Sequence, residues 1–452
     1  MPKLSPAQRG KLEALWRSMP PHMRANLHGA AQAGAAEDPA SQTMLELFGE
    51  LEDSLNEPAG ELAKAYLFEP LRALTAERDT VPPSKFRFSP DDLSKMWGWL
   101  GRELAGDLVE EARKCRKPAS DPVWHEFRRR AAEALAAAVA KADRVPKDVV
   151  ALDKRFGSDC RPMLHDAIVL LKSSECLALA MTDIPPVVDD FDPVLCETVR
   201  ERHEILIEEA PESAVWLLLL VMGRLTSPWQ IFRVVEKIGR RGDDLVVSKT
   251  ELAAIGDTVL ADTGYFAAKL KHPPADLAEA EAYFAVFERY VGYSTGMVQE
   301  FGIRKDGRWG RSLFGLRAEA SSNVEKVMEK VPLALDAGLP EPRRGRSGRI
   351  IPAQLPTTEA INRASGLLYF LFRAREHANA AAIASAQKRI YEQVEKRMLE
   401  AGKMLVDVVA GSNGQSRVSA EEALATVADL LDAAGSNEAA ALLRRRGAAA
   451  AA

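Results

Sequence analysis

The sequence predicts an all-α fold, and three observations support this prediction. Aromatic residues make up only 6% of the chain and alanine is the preferred small residue, a composition that favours helices over strands. Segments that begin with capping residues recur along the chain. Strand-like alternation is nearest at "DDLVVSK" (243–249), and one short apolar pair does not predict a sheet.

The helix starts are marked by Ser-Pro dipeptides at Ser5, Ser89 and Ser227. Each is followed, three residues after the serine, by Gln or Asp. The serine hydroxyl accepts a hydrogen bond from a free N–H of the first turn, and proline at the next position lacks a donor that had no partner. Further starts of this type are "SKTE" from Ser248, "SAEE" from Ser419, and Asp121-Pro122.

Apolar periodicity between these starts predicts a series of helices without a fixed repeat period, because the Ser-Pro starts lie 84 and 138 residues apart. The predicted helices are 6–18, 22–34, 41–56, 60–77, 90–115, 122–143, 160–181, 193–209, 212–225, 228–240, 249–271, 275–300, 310–337, 358–410, 420–434 and 437–446.

A chain of 452 residues is too long for one hydrophobic core, so several units are expected. Helical periodicity is interrupted at 145–159, at the proline-bounded acidic loop 183–193 and in the proline- and glycine-rich stretch after residue 337. We predict a multi-helix bundle or irregular helical array in two N-terminal units. The predicted segments are an N-terminal helical unit (1–144), a central helical unit (158–337), a Pro/Gly/Arg-rich linker (338–357) and a C-terminal helical unit (358–452).

The longest continuous helical pattern is 358–410. Its second half carries an apolar seam at helical spacing, formed by Ile383, Ile390, Val394, Met398, Ala401, Leu405 and Val408. The small residues of 378–386 would let another helix approach closely. The pattern predicts a helical hairpin or bundle within one chain, and a two-chain coiled coil remains the alternative.

Composition narrows the class of protein. A net charge of −5 excludes a globally basic binder of nucleic acid, and four cysteines do not form a disulfide framework. We therefore expect a cytoplasmic protein. The longest apolar run, "AVWLLLLVM" (214–222), is too short to cross a membrane and predicts a buried helix. The first 36 residues, with five Lys/Arg and one acid, are loosely similar to a transit peptide, but Ser5-Pro6 favours a capped helix.

No catalytic motif is found in the sequence. It contains no P-loop, dinucleotide-binding glycine pattern or G-x-S-x-G elbow. "HEILI" from His203 has Ile207 where a metalloprotease needs its second histidine. No histidine follows a glutamate by three residues, as di-iron bundles require. The sequence therefore predicts no catalytic residue, cofactor or metal site, while an enzyme whose residues meet only in space stays possible in principle.

The cysteines favour structural roles. Cys160 and Cys176 would lie on one predicted helix, roughly 24 Å apart at 1.5 Å per residue, so they cannot share a zinc ion with Cys196 and His203. Cys160 beside Arg161, in a first helical turn, and Cys115 within "RKCRK" have cationic surroundings that would favour a thiolate. Neither has an obvious base partner.

Charge is concentrated in two segments. The acidic segment (183–212) has ten Asp/Glu against two Arg, and the basic belt (304–349) has eleven Lys/Arg against six Asp/Glu. In the belt, an aromatic side chain between arginines could stack on a base while the cations hold phosphates. The candidate contact residues for a partner or phosphate are Arg308, Trp309, Arg311, Arg343, Arg344, Arg346 and Arg349.

The belt has several competing interpretations: a solvated linker, a linker docked on the acidic segment, a surface for a protein partner, a nucleic-acid contact, or phosphorylation of Ser347. The sequence favours a non-catalytic cytoplasmic scaffold or adaptor that presents helix faces to protein partners or self-associates. Nucleic-acid binding through the belt is the alternative, and a motif-free enzyme comes third.

Overall fold

The computed structural model describes residues 59–158, 160–239, 244–344, 350–351 and 354–451, with scattered positions between 12 and 48. At residues 59, 244, 343–344 and 350–351 it describes the backbone only. The chain forms two compact units, Met1–Arg240 (unit 1) and Arg241–Ala452 (unit 2). The predicted helices 6–18, 22–34 and 41–56 fall mainly outside the described residues.

The all-α prediction is confirmed, since helices dominate both units. The helices of unit 1 are α1 (Ala59–Leu67), α2 (Pro90–Trp99), α3 (Gly106–Lys114), α4 (Val123–Arg144), α5 (Pro146–Phe156), α6 (Cys160–Lys172), α7 (Ser174–Ala180), α8 (Pro193–Glu209), α9 (Pro211–Arg224) and α10 (Phe232–Gly239). Short 3₁₀ turns occupy Glu69–Leu74, Pro83–Lys85 and Pro228–Ile231, and Leu100–Leu104 is a π-helical turn after α2.

Capping explains where two of these helices begin. At the start of α2, the Ser89 hydroxyl accepts from the N–H of Asp92 at 3.1 Å, while the Asp92 carboxylate accepts from the N–H of Ser89 at 2.9 Å. This is the capping box that the sequence predicted. Before α4, the Asp121 carboxylate accepts from the N–H of Val123 at 3.0 Å, and this bond is the main reason that the pKa of Asp121 is lowered.

The core of unit 1 forms where amphipathic helices meet. α4 packs on α6, and α8 packs on α9. Trp124 and Leu135 of α4 are fully buried. The apolar run 214–222 lies inside α9 and is almost entirely buried, as the sequence predicted. The segment 145–159, predicted as an interruption, instead contains α5, because Val145-Pro146 starts a new helix whose Leu152 reaches the core.

The helices of unit 2 are α11 (Asp244–Val247), α12 (Ala253–Lys269), α13 (Leu277–Glu300), α14 (Arg308–Met328), α15 (Val331–Gly338), α16 (Thr358–Arg373), α17 (Ala384–Gly411), α18 (Gln415–Ala433) and α19 (Asn437–Ala451). A 3₁₀ turn (Ala374–His377) follows α16, and two-residue strands, β1 (Arg343–Arg344) and β2 (Ile350–Ile351), pair antiparallel between α15 and α16.

Two predicted caps in unit 2 are not used. The helix predicted to start after Ser248 begins at Ala253, and Ser419 lies inside α18, which begins at Gln415. Four helical residues precede Ser419, and turns occupy most of residues 248–252, so a capping-box pattern alone does not fix a helix start.

One hydrophobic core joins the helices of unit 2. α16 packs on α13, α15 and α18, while α17 packs on α14, α15, α18 and α19. The predicted seam is buried in α17, where Ile390, Met398 and Leu405 are at most 1% exposed. Helices on both sides of 338–357 thus share a core. The predicted division into separate folding units stays a prediction.

The predicted continuous helix 358–410 is corrected by the structure. α16 ends at Arg373, a 3₁₀ turn follows, and α17 begins at Ala384. Side-chain hydrogen bonds satisfy backbone carbonyls at this break. Arg317 donates to the carbonyl of Ala380 at 3.1 Å, and Gln387 donates from its side-chain amide to the carbonyl of Leu371 at 3.0 Å. Alanine-rich periodicity could not reveal this break.

Within the described residues, no helix combines the length and apolar character needed to cross a membrane.

Candidate partner-binding groove

The first part of the basic belt is held by contacts inside unit 2. The Arg308 guanidinium lies 2.6 Å from the Asp257 carboxylate and also donates to the carbonyl of Ser248 at 3.2 Å. Arg311 donates to the backbone carbonyl of Asp306. These two arginines keep exposed surface, but their described contacts stabilise the start of α14.

Trp309 lies in the core. Its side chain is 0% exposed, and its indole N–H donates to the Asp257 carboxylate at 2.9 Å. The ring lies flat against α12 at Gly256, where a Cβ atom would come within 2.2 Å of it. A nucleic-acid base cannot stack on a ring that is buried in this way. Trp309 therefore packs in the core and does not offer a stacking surface.

The structure describes no side chain for the other four candidate arginines. Arg343 and Arg344 form β1, with only their backbone described, and Arg346, Ser347 and Arg349 lie outside the described residues. The nucleic-acid hypothesis therefore rests on these four arginines and stays a prediction.

The acidic segment contains both paired and unpaired carboxylates. Arg202 contacts Asp183 at 2.9 Å, and Lys237 contacts Glu197 at 3.2 Å. Three exposed acids of α8, Glu201, Glu208 and Glu209, have no ion-pair partner in the described part of the chain. Glu201 lies four residues before Ile205 on α8, and Glu208 and Glu209 lie three and four residues after it. Residues at these spacings are neighbours on the surface of a helix, so the three carboxylates lie around Ile205.

A groove runs beside this neighbourhood, between α7 and α8. It is a depression open to solvent, with a volume of about 370 Å³, and its lining includes Cys176, Leu179, Asp183, Arg202, Ile205 and Glu209. Leu179 is 63% exposed and Ile205 is 46% exposed. The groove therefore combines apolar contact surface with an acidic rim, and the Asp183–Arg202 ion pair lies on that rim.

The structure explains the groove locally. α7 is only seven residues long and ends at Ala180, so the chain turns away and leaves α8 uncovered beyond it. α8 buries Cys196, Val199, His203 and Leu206 and presents Ile205 to solvent. The sequence signal was the acid excess of 183–212. The groove itself was missed because it depends on where α7 ends.

Among the described residues, the four cysteines join no group of side chains that could hold a metal ion. Cys160 begins α6 and is buried; burial, followed by the nearby Asp153, raises the pKa of its thiol despite the neighbouring Arg161. The first-turn position therefore does not produce a thiolate. Cys176 is half-buried in the groove, and Cys115 is half-buried after α3.

In the part of the chain that the structure describes, one group of side chains could hold a metal ion. Glu288 of α13 and Glu376 and His377 of the 3₁₀ turn bring one ligand atom each within 4.8 Å of one another. No sequence motif indicated this group, since Glu288 lies far from the other two residues along the chain. This group is in unit 2 and is separate from the groove in unit 1.

Comparison with known proteins supplies no relative: no family model, curated protein or solved structure matches the chain.

Proposed function

We propose that this protein is a non-catalytic adaptor whose groove between α7 and α8 binds an amphipathic helix of a protein partner. The observation that carries the proposal is the exposed apolar surface of Leu179 and Ile205 beside three carboxylates that have no ion-pair partner among the described residues. Helices dock in grooves through apolar side chains spaced three and four residues apart. A cytoplasmic location, as the sequence analysis expects, is part of this proposal.

Charge selects the class of partner. Carboxylates that surround an exposed apolar contact favour ligands with complementary cations and repel anionic ones. We therefore infer that the bound helix carries Lys or Arg beside its apolar stripe. The same charge argues against nucleic acid as the ligand of this groove.

The test is selection of helical peptides from a displayed library on the full chain. We expect the selected peptides to share an apolar stripe with basic flanks. Leu179→Ser and Ile205→Ser should each weaken their binding by about tenfold, because each removes an apolar contact worth about 1–3 kcal/mol. Val150→Ser is the matched control, since Val150 of α5 is 67% exposed and lies outside the groove.

Two further measurements locate the ligand. Replacing Glu201, Glu208 and Glu209 together by Gln should weaken binding and flatten its salt dependence. A bound peptide should slow alkylation of Cys176 and leave that of Cys115 unchanged, because only Cys176 lines the groove.

Peptides that bind equally well to the Ile205→Ser variant, or a selection that yields no binder, would contradict the proposal. Concentration-dependent dimerisation lost in the same variants would assign the groove to self-association instead.

A further inference from the structure

We propose that Glu288, Glu376 and His377 of unit 2 form a binding site for a divalent transition-metal ion, of which Zn²⁺ is the best fit. The site is independent of the groove and of the proposed adaptor role. One imidazole nitrogen and two carboxylate oxygens form a donor set that zinc accepts, with water completing a tetrahedral shell. Calcium and magnesium prefer oxygen ligands alone.

The spacing of the ligand atoms supports a metal more than a hydrogen bond. His377 Nε2 lies 3.5 Å from the nearer Glu288 oxygen, which is long for a hydrogen bond. Two ligands of a tetrahedral zinc ion lie about 3.3 Å apart, because each is about 2.0–2.1 Å from the metal. The third ligand atom, from Glu376, is within 4.8 Å of both. Small rotations of exposed carboxylates would bring all three into range.

A second observation comes from the imidazole itself. His377 Nε2 is shielded from water, and among the described residues it has no hydrogen-bond partner. The ring is held in place by aromatic contacts, stacked near Phe284 and edge-on to Phe287, with centroid distances of 6.1 Å to each. A shielded and fixed imidazole nitrogen that faces a carboxylate, and has no hydrogen bond among the described residues, is arranged as a metal ligand is.

The position in the fold also favours a cation. Glu376 and His377 follow the C-terminal end of α16, which is the negative end of its helix dipole. One group opposes binding: Arg373 lies 3.4 Å from the Glu376 carboxylate and 4.6 Å from the centre of the Phe284 ring. Its guanidinium competes for Glu376 and repels a metal ion.

The experiment is calorimetric titration of the full chain with Zn²⁺ at neutral pH. We expect one site with a Kd on the order of micromolar. Glu288→Gln and His377→Asn should each weaken it at least about tenfold, since each removes a ligand. The matched controls are Glu281→Gln, an exposed acid two turns earlier on α13, and His272→Asn, an exposed histidine before α13. Both should bind Zn²⁺ as the unaltered chain does.

Arg373→Gln separates a metal site from a merely structural cluster. Removing the competing cation should strengthen Zn²⁺ binding by roughly threefold to tenfold, whereas a structural ion pair predicts no such gain. Thermal unfolding without metal checks that each variant folds. If His377→Asn fails to fold, Glu288→Gln alone decides. No saturable Zn²⁺ binding below about 1 mM, or equal affinity in the ligand variants, would overturn the proposal.

Discussion

At the scale of single residues, Trp309 shows how a neighbour decides a role. Its position between arginines suggests a stacking surface, yet in the structure its ring fills the space that Gly256 leaves open on α12. The absence of a side chain at Gly256 therefore determines that Trp309 is a core residue. Asp257, one position on, accepts the indole N–H and pairs with Arg308.

This contact can be tested with two glycines of the same helix. Gly256→Ala would place a Cβ 2.2 Å from the Trp309 ring, and we expect it to lower the free energy of unfolding by about 1–3 kcal/mol through overpacking. Gly264→Ala is the control, because its nearest neighbour is 3.7 Å away, in Leu316. It should raise the free energy of unfolding by about 0.5–1 kcal/mol, since alanine favours helix.

Urea unfolding monitored by circular dichroism measures both effects. Equal stabilisation by the two alanines would show that the ring of Trp309 moves freely away from α12.

At the scale of elements, the interruption between α16 and α17 shows that tertiary packing overrides the local preference for a continuous helix. The local sequence predicts one helix, but the chain turns at Ala382, which has a φ of 58°. Side chains of α14 compensate: Arg317 and Ser321 donate to the carbonyls of Ala380 and Ala381. The 3₁₀ turn that opens this interruption, Ala374–His377, brings Glu376 and His377 opposite Glu288, so the interruption also creates the proposed metal site.

The left-handed conformation of Ala382 gives a sharp prediction. Alanine in this region costs about 1–2 kcal/mol, whereas glycine adopts it freely. We expect Ala382→Gly to raise the free energy of unfolding by about 1 kcal/mol, and no cavity forms because Ala382 is exposed. Ala386→Gly, within α17, is the control and should lower it by about 1 kcal/mol. Destabilisation by both glycines in a thermal unfolding series would disprove the strain at Ala382.

At the scale of the whole molecule, unit 2 is built from helices on both sides of 338–357. Gly338 of α15 lies so close to α16 that a Cβ would be 2.8 Å from the carbonyl oxygen of Ala360. Arg397 of α17 pairs with Asp336 and Glu341. A cut between residues 345 and 349 therefore leaves these described contacts between the helices intact.

We predict that cleavage at a protease site introduced between residues 345 and 349 leaves the two fragments associated. The buried apolar surface between α13–α15 and α16–α19 is retained after the cut. Size-exclusion chromatography under native conditions should show one species, and denaturing electrophoresis should show two chains. An uncut chain treated alongside is the control. Separate elution of the fragments would instead support an independent C-terminal unit.

The sequence alone determined the all-α class, the capped starts at Ser89 and Asp121, and the buried seam of α17. These follow from local capping and helical periodicity, which neighbouring residues encode. Tertiary structure decided the burial of Trp309, the break before Ala384, the groove beside Ile205 and the meeting of Glu288 with His377. Each of these depends on residues that are distant in the chain, or on where a helix ends against its neighbours. Local periodicity predicts neither, because it reflects only residues that are close together in the sequence.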